Sequence, residues 1–397
     1  MIMNLIKTVL IKLFLFASAV LSLFVGCKDN KGENKAKTSL FVSTNAGSMY
    51  AFDIVEDKLI WQKEVRDSNI DELTYFSFYK DEVIKSYLDA RIVGLERSTG
   101  KEKWTFEDKV SPDQQYYDYN FSDVRFVHFY QEPAIYQNAM LFANSHGEIK
   151  SVDIPSLKEN WIYQCEVPLF SAPQILGSSV YMNIGYRLLK LSAAKGKLLQ
   201  SYNFDEGSSF PVKTEGNRIY LLTERGTVIC WDDNLEVVWT FSPKDEDLHI
   251  NKNLLINDNQ ILIGSNRLLS IDKATGKLLW KLDFKESGIF TEEKLSEEVT
   301  NYETDIRSLV TTDEGFVVNT NSHIVTLSKK GKVMQKYKWP EPDMLMGLSY
   351  ENGFYYVVTK SGKLFKTDLD FKERKLLKEK INFNFERGLE DVCFRFD

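Results

Sequence analysis

The side chains able to do covalent or metal chemistry are few in this sequence and widely spaced. Its four histidines, His128, His146, His249 and His323, form no i, i+4 pair and no hairpin pair, so the clustering that zinc demands of imidazole ligands is missing. Beyond Cys27 the thiols are Cys165, Cys230 and Cys393, an odd number without close spacing. Such a set builds no disulfide framework, and buried packing is the role expected of it. No Gly-x-Ser-x-Gly elbow is present to raise a serine nucleophile above a sheet. The pattern points away from catalysis, and neither a metal nor an organic cofactor is expected.

One cysteine does stand where chemistry is expected. Lys7 and Lys12 precede an uncharged apolar run over residues 13–25, which has the layout of an export signal (1–26) and is short for a membrane span. The run ends at Val25-Gly26-Cys27, followed by polar Lys28-Asp29-Asn30-Lys31. This resembles the bacterial lipobox, with Phe24 where leucine is usual, and implies lipidation of Cys27. A thioether-linked diacylglycerol plus an N-acyl chain would hold the protein on a membrane, since one chain binds marginally and two or more anchor. Residues 27–38, rich in Lys, Asn, Gly and Glu, read as a flexible tether.

Behind the tether the chain is acidic: losing Lys7 and Lys12 with the leader takes the formal net charge from −7 to −9. Nucleic acid is not an expected partner, because phosphate binding needs a basic face. With 43% apolar and 13% aromatic residues, disorder is excluded for most of the length.

The elements that organise residues 39–397 emerge on aligning the phrase Gly-x-aliphatic-x-x-apolar-Asp. It reads Gly47-Ser48-Met49-Tyr50-Ala51-Phe52-Asp53, and recurs at residues 147–153, 226–232 and 362–368. Weaker copies occupy 90–96, 186–192, 266–272 and 322–328. The last residues of the eight phrases are separated by 43, 57, 39, 40, 40, 56 and 40 positions, a period near forty broken twice by insertions. A tight turn follows, as in Thr275-Gly276-Lys277, then a further strand opened by Trp61, Trp104, Trp161, Trp239 or Trp280; Gln200 and Gln335 take that place in two copies. One strand precedes most phrases, giving four short strands per forty residues, the make-up of a propeller blade. The expected fold is all-β: an eight-bladed β-propeller of four-stranded antiparallel blades. The first copy lacks its leading strand and the tail 387–396 has strand composition, so the ring is expected to close by pairing the two chain ends in one blade.

The phrase followed by Thr-Gly-Lys-x-x-Trp resembles the pyrroloquinoline-quinone-like β-propeller repeat, from Leu40 to about Lys380. With a lipobox in front, the chain is similar to the envelope lipoproteins of that family that serve outer-membrane protein assembly. The resemblance implies that Trp61, Trp104, Trp161, Trp239 and Trp280 are structural, each packed between neighbouring blades. The phrase's Asp is read as a turn-former accepting backbone N–H bonds. The same repeat builds quinoprotein dehydrogenases, but those resemble one another in longer chains, a Ca²⁺ site, an Asp base and often adjacent cysteines; adjacent cysteines are absent here. A non-catalytic scaffold is therefore expected, a monomer within a complex, anchored in the outer membrane, facing the periplasm and holding other envelope proteins such as the barrel-assembly core. A surface-displayed ligand-binding lipoprotein is the alternative, with a quinoprotein-related enzyme behind it.

Positive signs of binding lie in the insertions. Residues 108–130 crowd Tyr116, Tyr117, Tyr119 and Phe121 among acids, and residues 285–305 set Phe290 among seven carboxylates. Long loops on a rigid scaffold carry binding, and tyrosine gives contact area at small entropic cost. The first insertion also suits an extended blade hairpin with buried aromatics, and the second a solvated acidic helix.

Overall fold

Apolar residues alternating over four to seven positions, punctuated by Gly, Asn and Asp, form strands wherever one or both faces can be buried. The computed structural model describes residues 38–64, 75–87, 90–108, 132–167, 169, 171–244, 248, 250, 254–264, 267–284, 286–287, 306–320, 322–340, 343–382 and 392–397. Their strands pair into eight four-stranded antiparallel sheets. Blade 1 combines Ser39–Thr44, Met49–Asp53 and Lys58–Lys63 with Val392–Phe396. Blades 2 to 8 follow in order over residues 76–107, 134–164, 174–208, 213–241, 255–283, 308–338 and 345–378. The fold is an eight-bladed propeller. Counted across each sheet from its innermost strand, each copy's phrase is the third strand of its blade.

The ring closes as its ends predict. Leu40 pairs with Phe396, Val42 with Phe394 and Thr44 with Val392, and the Thr38 and Ser39 amides donate to the Asp397 carbonyl at 2.9 and 3.0 Å. The C-terminal strand is thus the innermost of blade 1, beside the innermost strand of blade 8, Leu345–Glu351. Residues 387–391 of the expected closing segment lie outside the described residues.

A blade is too thin to bury its own faces, so the core divides into eight apolar clusters, one at each seam. Strand alternation makes this possible: Phe41 and Ala51 face blade 2, while their neighbours Leu40, Val42 and Phe52 face blade 8. Each large side chain so buried is worth about 1.5–3 kcal/mol.

Every outer strand carries a one-residue irregularity at the same place, seen where Cys230 pairs with Trp239 but Trp231 with Val237. The skipped residues are Ile60, Lys103, Asn160, Leu199, Val238, Leu279, Met334 and Leu377. Such a bulge re-aims the next side chain, and in five blades that residue is tryptophan. Four of the indoles lie on a turn glycine of the following blade: Trp61 on Gly100, Trp161 on Gly196, Trp239 on Gly276 and Trp280 on Gly331. Their Nε1 atoms donate to the carbonyls of Arg97, Ala193, Lys273 and Lys329 at 2.8–3.1 Å. The seat needs glycine twice over. Gly276 has φ +70°, and a Cβ there would stand 2.6 Å from Cε3 of Trp239.

In the other four blades the same left-handed turn position holds a side chain: Asp57, Leu157, Leu235 or Phe371. None of these receives an indole from the blade before. Gln200, Gln335 and Lys378 precede three of them. Trp104 precedes Leu157, and lies instead across Gly94 of its own blade, with Nε1 donating to Glu82 at 2.7 Å, while its ring still packs against the blade 2–3 cluster. Phe371 fills its own seam, stacked between Tyr337 and Tyr355 at 4.8 and 4.9 Å.

The phrase's aspartates cap these turns. Asp53 Oδ1 accepts from the amides of Val55 and Glu56 at 2.9 and 2.8 Å, and Asp272 Oδ1 from Thr275 at 2.8 Å. The Thr275 hydroxyl and the local amides hold the Asp272 carboxyl below its ordinary pKa.

Candidate functional site

Antiparallel blades give the ring two unlike ends. Turns between first and second strands and between third and fourth strands emerge at one end; second-to-third turns and every blade-to-blade connection emerge at the other. The first end consists of tight turns such as Gln137-Asn138 and Asn352-Gly353, together with the indole seats. The second end, the connection face, receives the two large insertions of the repeat.

Both insertions leave from and return to that face. Blade 2 ends at Glu107 and blade 3 begins at Ala134; blade 6 ends at Asp283 and blade 7 begins at Ser308. The first insertion therefore joins two blades and does not lengthen a hairpin within one. Tyr116, Tyr117, Tyr119, Phe121 and Phe290 lie outside the described residues, as do Cys27, His128 and His249. What is described is the mooring of each insertion. Asp108 is buried, taking Lys150 Nζ at 2.6 Å and Asn144 Nδ2 at 2.9 Å; Lys150 also reaches Glu148 at 2.9 Å. Burial alone would lower the Lys150 pKa, but the hydrogen bonds and charges of Asp108 and Glu148 outweigh it and raise the ammonium above its ordinary value. At the far end Glu132 pairs with Arg395 of the closing strand. The second insertion leaves from buried Phe284 and returns at buried Ile306, both in the blade 6–7 cluster.

An open groove of about 310 Å³ lies on the same face between blades 3 and 4, lined by Glu166, Val167, Ile184, Tyr186, Arg187, Asn203 and Phe204. It exists because the last two strands of blade 4, Gly185–Ser192 and Leu198–Ser208, outgrow the other hairpins and pair as far as Gly185 with Ser208. Tyr186 is 63% exposed and Val167 43%, an apolar pair between the opposite charges of Glu166 and Arg187. The repeat phrase carried a signal for it: Tyr186 occupies the position that strong copies give to glycine, so a bulky ring stands where others make a bare turn. Sequence reasoning did not single it out.

Covalent chemistry finds little support. Burial pushes the Cys165 and Cys230 thiols up to about 11, which keeps them protonated and poorly nucleophilic. Among the described residues no three His, Cys, Asp or Glu side chains are grouped to hold a metal ion. The five predicted tryptophans sit in the seams toward the tight-turn end, away from the groove.

Residues 187–344 match a family profile described as outer membrane protein assembly factor BamB. No curated protein sequence matches the chain. Among solved structures, BamB from Moraxella catarrhalis is similar in fold, with a TM-score of 0.58 and 14% identity over 80% of this chain and 88% of that one. The computationally designed Ika8 protein gives 0.57 and 12% over 82% and 96%. Over residues 187–344 the chain resembles the BamB family in sequence, and over four fifths of its length it resembles BamB in fold.

Proposed function

We propose that this protein is a non-catalytic, lipid-anchored scaffold of the bacterial envelope, with a part in outer-membrane protein assembly like that named for BamB, and that its connection face docks partner proteins. One observation carries this reading. The groove with exposed Tyr186 and the points where both insertions leave and return fall on the same end of the ring, while the opposite end holds turns, indole seats and a groove of about 330 Å³ beside Lys190 and Asp233 that has no exposed aromatic ring. A rigid ring with one variable face is suited to holding a partner, and an exposed tyrosine beside an aliphatic side chain and an arginine is the kind of cluster that carries binding energy. Cys27 is the anchor in this reading, and the outer membrane facing the periplasm the location.

The test is capture of envelope proteins from cells by mild crosslinking and co-purification with the tagged chain. The barrel-assembly core is expected among the captured proteins, and Tyr186→Ala with Arg187→Glu should lower its recovery at least tenfold while leaving thermal unfolding in place. Cys27→Ser should move the protein from the membrane fraction to the soluble one. Removal of the chain by protease from intact cells would mean surface display and would end the periplasmic reading. Undiminished capture by the Tyr186/Arg187 variant would end the assignment of the groove.

A further inference from the structure

We infer that the outer strand of blade 7 and the turn before it form a docking surface for an anionic phospholipid membrane. From Gly315 to Pro340 this acidic protein has no carboxylate side chain, yet it has five lysines between Lys329 and Lys338. All five, Lys329, Lys330, Lys332, Lys336 and Lys338, are exposed, and Met334, the bulged residue among them, is 62% exposed. Lys329, Lys330 and Lys332 have no carboxylate within ion-pair distance among the described residues. The neighbouring outer strand of blade 6 continues the character with Lys277, Leu278, Leu279 and Lys281, all exposed.

The other outer strands show that edge protection does not require such a strip. Lysine on an edge strand blunts unwanted pairing, but the outer strand of blade 5, Val237-Val238-Trp239-Thr240-Phe241, manages without any. Blade 8 is as rich in cations, but they are matched: Lys375 pairs with Asp57, Lys372 with Asp370, and Arg374 lies over Trp339. Among the described residues blade 4 sets two unmatched lysines, Lys195 and Lys197, beside exposed Leu198 and Leu199; blade 7 has three without a carboxylate partner, beside Met334, the most exposed of the bulged apolar residues, and continues into the similar strip of blade 6.

The chemistry selects the occupant. Lysines are compact, strongly hydrated point charges, suited to a fluid array of headgroups; a fixed carboxylate partner is better held by the planar fork of arginine. The one aromatic ring in the strip, Tyr337, is stacked on Phe371 at 4.8 Å and unavailable for stacking a nucleobase. The strip lies on the outer strands of the ring, where exposed Met334, Leu278 and Leu279 supply the apolar side chains that an interfacial contact buries.

The experiment uses residues 27–397 with Cys27→Ser, so that no acyl chain contributes, and vesicles of phosphatidylethanolamine with or without one third phosphatidylglycerol. Binding by co-sedimentation is expected to the anionic vesicles alone and to weaken with salt. A lysine near an anionic surface is worth about fivefold in partitioning, so K329A/K330A/K332A should lower binding about a hundredfold with unchanged thermal unfolding. Met334→Ser should lower it a few-fold without altering the salt dependence. Equal binding to both vesicle types, or an undiminished triple variant, would overturn the inference. So would capture of polyglutamate but not of vesicles, which would assign the strip to an acidic polypeptide, or a triple variant that aggregates while vesicle binding is unaltered, which would assign it to edge protection. The vesicles contain no protein, so this result is independent of whether the connection face docks a partner.

Discussion

The seam between blades 5 and 6 and the seam between blades 8 and 1 do the same job with opposite chemistry. In the first, the indole of Trp239 lies flat on Gly276 and donates to the Lys273 carbonyl at 3.1 Å. In the second, the same turn position holds Asp57, whose carboxylate takes Lys366 at 2.6 Å and Lys375 at 2.9 Å, while Lys378 reaches Gln62 at 2.8 Å. A flat ring needs a neighbour without a Cβ, whereas a carboxylate fills its own gap and needs cations opposite. The closure seam also has what no other seam has, a strand from the far end of the chain. Its aromatic payload, Tyr50, Phe52 and Tyr356, is completed by Phe394 and Phe396, the latter 5.3 Å from Tyr356, and no indole is required.

The comparison breaks most completely at the closing strand. Deleting residues 392–397 removes two half-buried phenylalanines from the blade 8–1 cluster, each worth about 1.5–3 kcal/mol, together with a strand's worth of pairing, and bares the edge of Ser39–Thr44. Loss of more than about 5 kcal/mol is expected, with a fall in Tm exceeding 10 °C by calorimetry on the order of 2–4 °C per kcal/mol. An unchanged Tm would mean that the ion pairs of Asp57 close the ring unaided.

Next in size is the indole seat. Trp239→Ala should cost about 3–5 kcal/mol. Gly276→Ala should cost about 2–4 kcal/mol, because the new methyl meets both left-handed strain and the indole face. Gly177 supplies the control: its φ is +60° but an added Cβ would meet nothing within 4 Å, so Gly177→Ala should cost only the backbone part, about 1–2 kcal/mol. Urea unfolding of the two glycine variants measures the difference. Equal losses would show that the ring tolerates the methyl by shifting, and that the seat is less demanding than its geometry.

Fold and site were unequally legible in the sequence, for physical reasons. A propeller repeats its packing problem, so Gly, Asp and Trp recur in phase and the strand count follows from their period. The two poorest copies have specific causes. Ala90 to Glu96 departs from the phrase because Gly94 must admit Trp104 from the same blade, there being no glycine at Leu157 to receive it. Tyr186 to Ser192 departs because its strand is extended past the turn to wall the groove. What the sequence did not reveal was which end of the ring each loop leaves from, since that depends on strand direction in an alternating stack, and the groove, whose walls come from two blades forty residues apart. The eightfold bulge was hidden too: the skipped residues range from leucine to lysine and asparagine, and share only the position before the residue paired to the phrase, tryptophan in five blades.

The smallest expected effect sharpens the comparison at its charged end. Asp57→Asn keeps the shape of the turn but removes the charge facing Lys366 and Lys375, and since Lys375 is largely exposed the loss should be about 1 kcal/mol or less. Burial alone would raise the Asp57 carboxyl; the two ammonium groups outweigh it and hold the pKa below its ordinary value. A carboxyl with a lower pKa folded than unfolded stabilises the fold fully above the unfolded value, about 3.9, and loses that contribution as pH falls through the folded value. The difference in urea midpoint between wild type and Asp57→Asn should therefore be constant from pH 6 to pH 8 and shrink steadily below pH 4. The Trp239→Ala difference, which involves no titrating group, should not follow that course. If the Asp57→Asn difference stayed undiminished at pH 3, the carboxylate's charge would not be what holds the last seam, and the two seams would be alike in resting on packing alone.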